Sequence, residues 1–311
     1  MSDQSPVGGS PATGQLLRSP HIAAFMAIFF IGINFVIVRA VYEQYPPSVL
    51  SLWRWGGAAV LLLCFTWRGV IAEWPMIRRN FWIYVLMAFL MPISGALASF
   101  VAMEWTVAVN GAIIQSLIPA LVIVIAWMVG LEKVGGRQMV GLILALIGVG
   151  GIVTRADLAV LTGLDFNIGD LILLASSFGL AAYTVMYKCI KEKPSPTVFL
   201  TVLCGLGGLM HLPFLFYELA IGTPMPFNLE TSLSMAYVAV FPSLIAILLF
   251  NYGIDRLGPS RAAAYHYFLA PITAAAAFLF IGEKLLWYHG VGTALIFAGV
   301  FLASGSKQKD T

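Results

Sequence analysis

The sequence has little charge. Of its 311 residues, 10% are Asp, Glu, Lys or Arg and 60% are hydrophobic, whereas a soluble domain carries about 25% charged residues. So few charges cannot cover a surface that faces water. Apolar runs long enough to cross a bilayer recur from residue 21 to 304, and they predict a polytopic membrane protein. The net charge of +3 does not indicate nucleic acid binding, because the basic residues lie in loops between apolar segments.

Cysteines and catalytic motifs are also scarce. The cysteines lie in or beside apolar segments without the spacing of metal ligands, so we interpret them as packing residues and predict no metal and no cofactor; they are Cys64, Cys189 and Cys204. A His-Glu-x-x-His helix, which a metalloprotease needs, is absent. An aspartyl protease needs two intramembrane aspartates, and Asp170, at the edge of a span, is the nearest to one. These absences argue against an enzyme.

Apolar runs of roughly 18 to 24 residues divide the chain into ten predicted spans. They lie near residues 21–42, 48–68, 81–103, 106–129, 136–154, 168–190, 196–220, 231–253, 260–282 and 285–304. If both termini are cytoplasmic, thirteen Lys and Arg residues fall in inner segments and two in outer loops, and this asymmetry predicts that orientation in the inner (plasma) membrane. Residues 1–20, rich in Gly, Ser and Pro, are expected to be a disordered cytoplasmic tail, and residues 305–311 a second cytoplasmic tail.

The two halves of the chain resemble each other. The segment "GLEKVGGRQMVGLILALIGV" at 130–149 aligns with "IGEKLLWYHGVGTALIFAGV" at 281–300. Matched prolines lie upstream, Pro92 with Pro242 and Pro119 with Pro271. We therefore predict two five-span repeats, at residues 21–155 and 168–304. Because five is odd, the second repeat enters the membrane from the opposite side, an arrangement typical of secondary transporters with a substrate site near the midplane.

The order and duplication of these motifs resemble the EamA family of the drug/metabolite transporter superfamily. The pattern is Pro119, "GLEK", Gly141 and Gly148, repeated as Pro271, "GEK", Gly292 and Gly299. The segments "NFVIVRAVYEQYPPSVLSLWRW" at 34–55 and "GDLILLASSFGLAAYTVMYK" at 169–188 are similar to the starts of the two EamA repeats. The resemblance implies an all-α membrane protein, with ten transmembrane helices as two inverted five-helix repeats around a central cavity, which exports small metabolites, amino acids or drugs.

The matched prolines are predicted to kink their helices. A proline inside a helix leaves the carbonyl four residues earlier without its hydrogen bond, and in lipid that group must be satisfied by protein or by cavity water. Kinks at Pro92, Pro119, Pro242 and Pro271 therefore favour a wet centre. The alternative is that they are packing kinks without a role in function.

Polar side chains within the spans are candidates for a substrate cavity, because such groups normally face the protein interior. The candidates are Asn34, Ser94, Asn110, Gln115, Ser116, Tyr183, Ser243, His266 and Tyr267. Asn34 and Tyr183 occupy equivalent places in spans one and six. Since three consecutive side chains cannot share one helix face, either Tyr265 or His266 is expected to point away from the cavity. For His266, a hydrogen bond to a helix carbonyl is the alternative to substrate or proton contact, and each serine could bond back to its own helix.

Arg54, in "LSLWRWGG", lies about two turns inside the second span. A charge at that depth costs about 2.5–3.5 kcal/mol on insertion scales unless it is paired or reaches the interface. We expect Arg54 to extend toward the external headgroups between Trp53 and Trp55. The alternative is an anchor for a substrate carboxylate.

Four glycines recur at intervals of seven residues in the fifth and tenth spans, namely Gly141, Gly148, Gly292 and Gly299. Small residues on one face let transmembrane helices pack closely. We predict that they pack helices together, either between the halves or across a homodimer; a monomer is equally compatible with the sequence.

These patterns predict a secondary transporter, not an enzyme. The chain is expected to lie in the lipid bilayer of the inner membrane and to export small organic metabolites across it by alternating access. Neutral amino acids, including aromatic ones, are the preferred small-molecule substrates, and lipophilic drugs or sugar nucleotides are the alternatives. No Asp or Glu lies deep in a predicted span, so proton coupling would rest mainly on His266; facilitated diffusion is equally open.

Overall fold

The fold is known from a computed structural model, which describes residues 19–41, 45–131, 135–153, 167–222, 228–282 and 286–304. Within these ranges the regular structure is entirely helical. Glu132 with Lys133 and Glu283 with Lys284, the repeated Glu-Lys pairs, lie outside the described residues. The same holds for residues 1–18 and 305–311, where the two tails are predicted.

Ten helical segments, α1 to α10, follow one another along the described residues. They are α1 Pro20–Val41, α2 Pro47–Arg79, α3 Phe81–Ala102, α4 Ala108–Met128, α5 Gly136–Val153, α6 Ile168–Cys189, α7 Pro196–Ala220, α8 from Leu229 to Leu257, α9 Pro259–Ile281 and α10 Trp287–Ser304. All except α5 and α10, which have 18 residues each, are identified as long and apolar enough to cross a membrane. The protein is therefore a multi-pass membrane protein, with eight candidate spans among the residues described.

The helix ends follow local sequence signals. Proline occupies the first turn of α2, α7 and α9, where its missing N–H is not needed. Asn167 caps α6 by accepting a hydrogen bond from the Gly169 N–H at 2.8 Å. α2 continues beyond the predicted span of 48–68 to Arg79, whose side chain forms an exposed ion pair with Glu192 of the α6–α7 connection.

The matched prolines coincide with matched helix irregularities. Pro92 lies in the π-helical turn Phe89–Leu97 of α3, and Pro242 lies in the π-helical turn Phe241–Ile245 of α8. In α4 the helix is interrupted at residues 116–117, two residues before Pro119. In α9 a 3₁₀ turn ends at Phe268, three residues before Pro271. The four prolines therefore lie in or near two pairs of related irregularities in helix hydrogen bonding, and the kinks themselves stay a prediction.

The helices of the two halves interleave. α1 packs against α8 and α9, α2 against α7, and α6 against α3 and α4. α5 and α10 run along each other with their backbones in close contact. A Cβ atom on Gly148 would lie 2.8 Å from the carbonyl oxygen of Gly292, and one on Gly299 would lie 2.4 Å from that of Gly141. The four repeated glycines thus lie at a contact inside one chain.

Candidate functional site

A central cavity lies where α1, α2, α3, α4, α6, α8 and α9 meet. Its volume is about 60 Å³ when only the positions open to the centre of a water-sized sphere are counted. Its apolar wall includes four large aromatic side chains, those of Phe35, Trp55, Phe100 and Phe250. Because both halves of the chain contribute helices, movement of one half against the other would change the shape of the cavity.

The cavity brings together some of the predicted site residues and leaves others outside its lining. Asn34, Arg54, Gln115, Tyr183 and His266 line it. Of the remaining candidates, Ser243 contacts the cavity through Arg54. The others, which are Ser94, Asn110, Ser116 and Tyr267, are not among the described lining residues.

Arg54 points into this cavity, so the expectation that it extends to the headgroups is wrong. The residue is only 7% exposed. Its Nε donates a hydrogen bond to Ser243 Oγ at 3.1 Å, and its Cζ lies 5.2 Å from the Trp55 ring and 5.5 Å from the Phe100 ring. Among the described residues no carboxylate forms an ion pair with it. Arg54 lies in the π-helical turn Trp53–Gly57 of α2, an irregularity that the sequence pattern did not reveal.

Ser243 links Arg54 to the distortion in α8. Its hydroxyl donates to the carbonyl of Val238 at 2.6 Å, which is the carbonyl that Pro242 leaves without a helical partner. Since that bond uses the only hydroxyl hydrogen, Ser243 Oγ meets Arg54 as an acceptor. The proline therefore helps to create the polar contact that orients the guanidinium group.

Gln115 belongs to a polar cluster that joins α3, α4 and α6. Its Nε2 donates to Ser99 Oγ at 2.8 Å, and Ser99 and Ser176 both lie within hydrogen-bond distance of the Gly95 carbonyl. Sequence reasoning missed Ser99 and Ser176. Both are small hydroxyl residues, and the sequence alone does not distinguish such residues from those that only bond to their own helix.

The structure separates the three consecutive residues around His266. His266 lines the cavity; its Nδ1 lies 3.1 Å from the Ala263 carbonyl, and its ring packs edge-on against Phe250. Tyr265 turns away and its hydroxyl lies 2.6 Å from His21 Nδ1. Tyr267 packs against Phe297, and its buried hydroxyl has no hydrogen-bond partner among the described residues. The alternative considered for His266, a bond to a helix carbonyl, is therefore observed, and the ring also lines the cavity; its contact with substrate or proton stays a prediction.

Asn110 lies in a second buried cluster, where α4, α6 and α10 begin. His289 Nδ1 accepts from the Leu286 N–H, so Nε2 is the protonated nitrogen and donates to Asn110 Oδ1 at 2.9 Å. Asn110 Nδ2 is 3.3 Å from Thr106 Oγ1, and Thr106 donates to Asp170 at 2.6 Å. This chain of hydrogen bonds connects the two halves at one end of the protein and gives Asn110 a structural contact.

Ser94 and Ser116 lie at helix contacts. A Cβ on Gly179 of α6 would lie 2.3 Å from Ser94 Oγ, so the serine fits against a position without a side chain. Ser116 donates to the carbonyl of Ala112 at 2.9 Å in its own helix. Across the described residues no group of three His, Cys, Asp or Glu side chains could hold a metal ion.

A paired substitution tests the different positions of His266 and Tyr267. We expect His266→Ala to reach the membrane at normal abundance and to lose about tenfold in uptake rate, because it removes a polar group from the cavity wall. Tyr267→Phe should leave uptake unchanged and raise the thermal midpoint in detergent, because it removes a buried hydroxyl that has no partner. Immunoblots of membranes and uptake assays measure both. Equal losses of abundance and uptake in His266→Ala would contradict the expectation.

Comparison with known proteins agrees with this architecture. The sequence profile of the EamA-like transporter family matches residues 18–154 and 167–305. These two ranges contain α1–α5 and α6–α10. The chain belongs to the EamA-like transporter family. It is thus a membrane transporter and not an enzyme.

Relatives of this EamA-like transporter span nearly the whole chain. An uncharacterized transporter of Bacillus subtilis, YyaM, is 25% identical over 89% of this chain and 90% of its own length. Proteins named "Probable amino-acid metabolite efflux pump" are 20% identical in Escherichia coli and 23% identical in Salmonella typhimurium, each over 92% of this chain and 94% of the relative. A crystal structure with 16% identity has a TM-score of 0.63 and covers 92% of this chain and 96% of its own; at that identity it shows the fold alone.

Proposed function

We propose that this EamA-like transporter exports neutral amino acids, aromatic ones included, by alternating access. The observation that carries the proposal is Arg54, a buried arginine on the cavity wall without a carboxylate partner among the described residues. Four of its five N–H donors are not used by the bond to Ser243. A substrate carboxylate would supply the missing counter-charge and accept charge-assisted hydrogen bonds.

The aromatic wall supports a substrate with an apolar side chain. Phe35, Trp55, Phe100 and Phe250 offer ring faces and edges, which contribute about 0.5–1.5 kcal/mol per aromatic pair beyond burial alone. A sugar nucleotide would bring at least two phosphate charges, and Arg54 is the one Lys or Arg among the described lining residues. The names of the Escherichia coli and Salmonella typhimurium relatives are in line with amino-acid export.

The transport cycle we propose uses ten spans in two inverted repeats, with both termini on the cytoplasmic side of the inner membrane. The matched distortions at Pro92 and Pro242 support a pseudo-symmetric pair of halves. Rocking of one half against the other about the close contact of α5 with α10 would expose the cavity to each side in turn.

The test is transport by purified protein in proteoliposomes loaded with a panel of radiolabelled compounds. The panel contains L-phenylalanine, L-leucine, L-lysine, a lipophilic cationic dye and a sugar nucleotide, each with and without a pH gradient. We expect saturable flux of the two neutral amino acids and little flux of the others. Flux of the dye or the sugar nucleotide alone would overturn the amino-acid assignment, and a response to the pH gradient would show proton coupling.

A further inference from the structure

Two polar side chains of the cavity wall, those of Tyr183 and His266, direct a hydrogen into the protein. The Tyr183 hydroxyl donates to Asn251 Oδ1 at 3.1 Å. The His266 Nδ1 points to the Ala263 carbonyl at 3.1 Å, so in the neutral ring this nitrogen carries the hydrogen and Nε2 is an acceptor. Both side chains therefore meet the cavity with acceptor atoms.

The orientation of the Gln115 amide is fixed by its neighbours. The hydroxyl hydrogens of Ser99 and Ser176 are used on the Gly95 carbonyl or on each other. With both hydroxyl hydrogens directed there, Gln115 presents its NH₂ group to the serines, and its Nε2 donates to Ser99 Oγ at 2.8 Å. The carbonyl Oε1 is left as the acceptor of this amide.

Two residues of the cavity wall have a buried polar atom without a hydrogen-bond partner among the described residues, Asn34 with its Oδ1 and Trp55 with its Nε1. Asn34 is 4% exposed and lines the cavity from the middle of α1. Its Oδ1 is buried and has no hydrogen-bond partner among the described residues. A buried acceptor without a donor costs free energy, so such an atom needs an explanation. Because Asn34 lines the cavity, a hydrogen-bond donor of the substrate would provide that explanation.

The described cavity wall thus carries neutral acceptor atoms and a single positive charge, that of Arg54. No Asp or Glu occurs among the described lining residues, so a free amine would find no counter-charge here, whereas the ammonium of a zwitterion brings its own carboxylate. We propose that Asn34 Oδ1 receives the α-ammonium group of a zwitterionic amino acid and that Gln115 Oε1 assists it. This inference rests on the proposed function, because it assumes that the carboxylate of the same molecule binds Arg54.

Three matched compounds separate the two ends of the substrate. L-Phenylalanine carries both charged groups, 3-phenylpropanoate carries only the carboxylate, and phenethylamine carries only the ammonium. In proteoliposomes we expect Asn34→Leu to lower the ratio of L-phenylalanine to 3-phenylpropanoate uptake about tenfold. Asn34→Leu should not lower the thermal midpoint, because Asn34 Oδ1 makes no bond to a described residue. Asn110→Leu is the matched control; it should lower the midpoint, because Asn110 bonds to His289 and Thr106.

Each outcome has a distinct meaning. An unchanged uptake ratio in Asn34→Leu overturns the ammonium site, and the proposed function stands if L-phenylalanine is still carried. Faster transport of phenethylamine than of L-phenylalanine by the unmodified protein also overturns the ammonium site, since it shows a preference for a free amine. If the unmodified protein carries neither L-phenylalanine nor 3-phenylpropanoate, the proposed function fails and the ammonium site fails with it.

Discussion

Replacing Arg54 with methionine is expected to reduce amino-acid uptake by about 10- to 100-fold while the protein stays folded. A hydrogen bond to a charged group contributes about 1.5–3 kcal/mol, and each 1.4 kcal/mol corresponds to about a tenfold change in affinity. The thermal midpoint should be unchanged or higher, because the guanidinium group is buried without an ion pair among the described residues and methionine removes the cost of that charge. Uptake kinetics and thermal denaturation in detergent measure the two effects.

The same substitution at Arg68 provides a matched control. Arg68 lies on the same helix, is exposed, and stacks over the Trp67 ring at 5.1 Å, so Arg68→Met should leave both transport and stability unchanged. Arg54→Lys keeps the charge but not the forked geometry, and we expect it to retain part of the uptake. A fall in thermal midpoint that parallels the loss of uptake in Arg54→Met would instead assign Arg54 a structural role.

Gly299→Ala is expected to have the largest effect on stability. The new Cβ would lie 2.4 Å from the Gly141 carbonyl oxygen and 2.6 Å from the Ala145 nitrogen. Both are backbone atoms, so relief requires α5 and α10 to move apart along their whole contact, whereas a side chain could simply rotate. Overpacking of this kind costs about 1–3 kcal/mol. The expected result is a lower thermal midpoint and a reduced amount of protein in the membrane.

Gly290→Ala is the control on the same helix. Gly290 is exposed and a Cβ there meets nothing within 4 Å. Since alanine favours a helix over glycine by about 0.5–1 kcal/mol, this substitution should leave the protein as stable or slightly more stable. Equal thermal midpoints for Gly290→Ala and Gly299→Ala would show that the contact of α5 with α10 does not hold the halves together.

The spacing of apolar residues, prolines and glycines predicted most of the helical architecture. The predicted spans correspond to the ten helical segments, and eight of these are long and apolar enough to cross a bilayer. The four matched prolines lie within or close to the observed distortions. A proline removes a backbone N–H from its own helix, and this effect does not depend on what surrounds the helix. The inverted repeat and the orientation in the membrane stay predictions.

The cavity was predicted less completely. Asn34, Gln115, Tyr183 and His266 lie on its wall, whereas Asn110 and Tyr267 face other contacts. Polarity within a span predicts that a side chain faces the interior, but an interior of seven helices contains several polar clusters. The sequence does not show which cluster borders the empty space.

Composition and periodicity were sufficient to predict a polytopic helical membrane protein, because the need to bury apolar surface and satisfy every backbone hydrogen bond acts on each helix locally. The EamA family was indicated by the resemblance of the duplicated motifs. The inward direction of Arg54 is visible only in the tertiary structure, where its side chain bonds to Ser243 of a distant helix. The unfilled acceptor on Asn34 and the orientation of Gln115 likewise depend on what surrounds them. Such features arise where helices from both halves meet, and a rotation of one helix by a single residue, about 100°, would change them all.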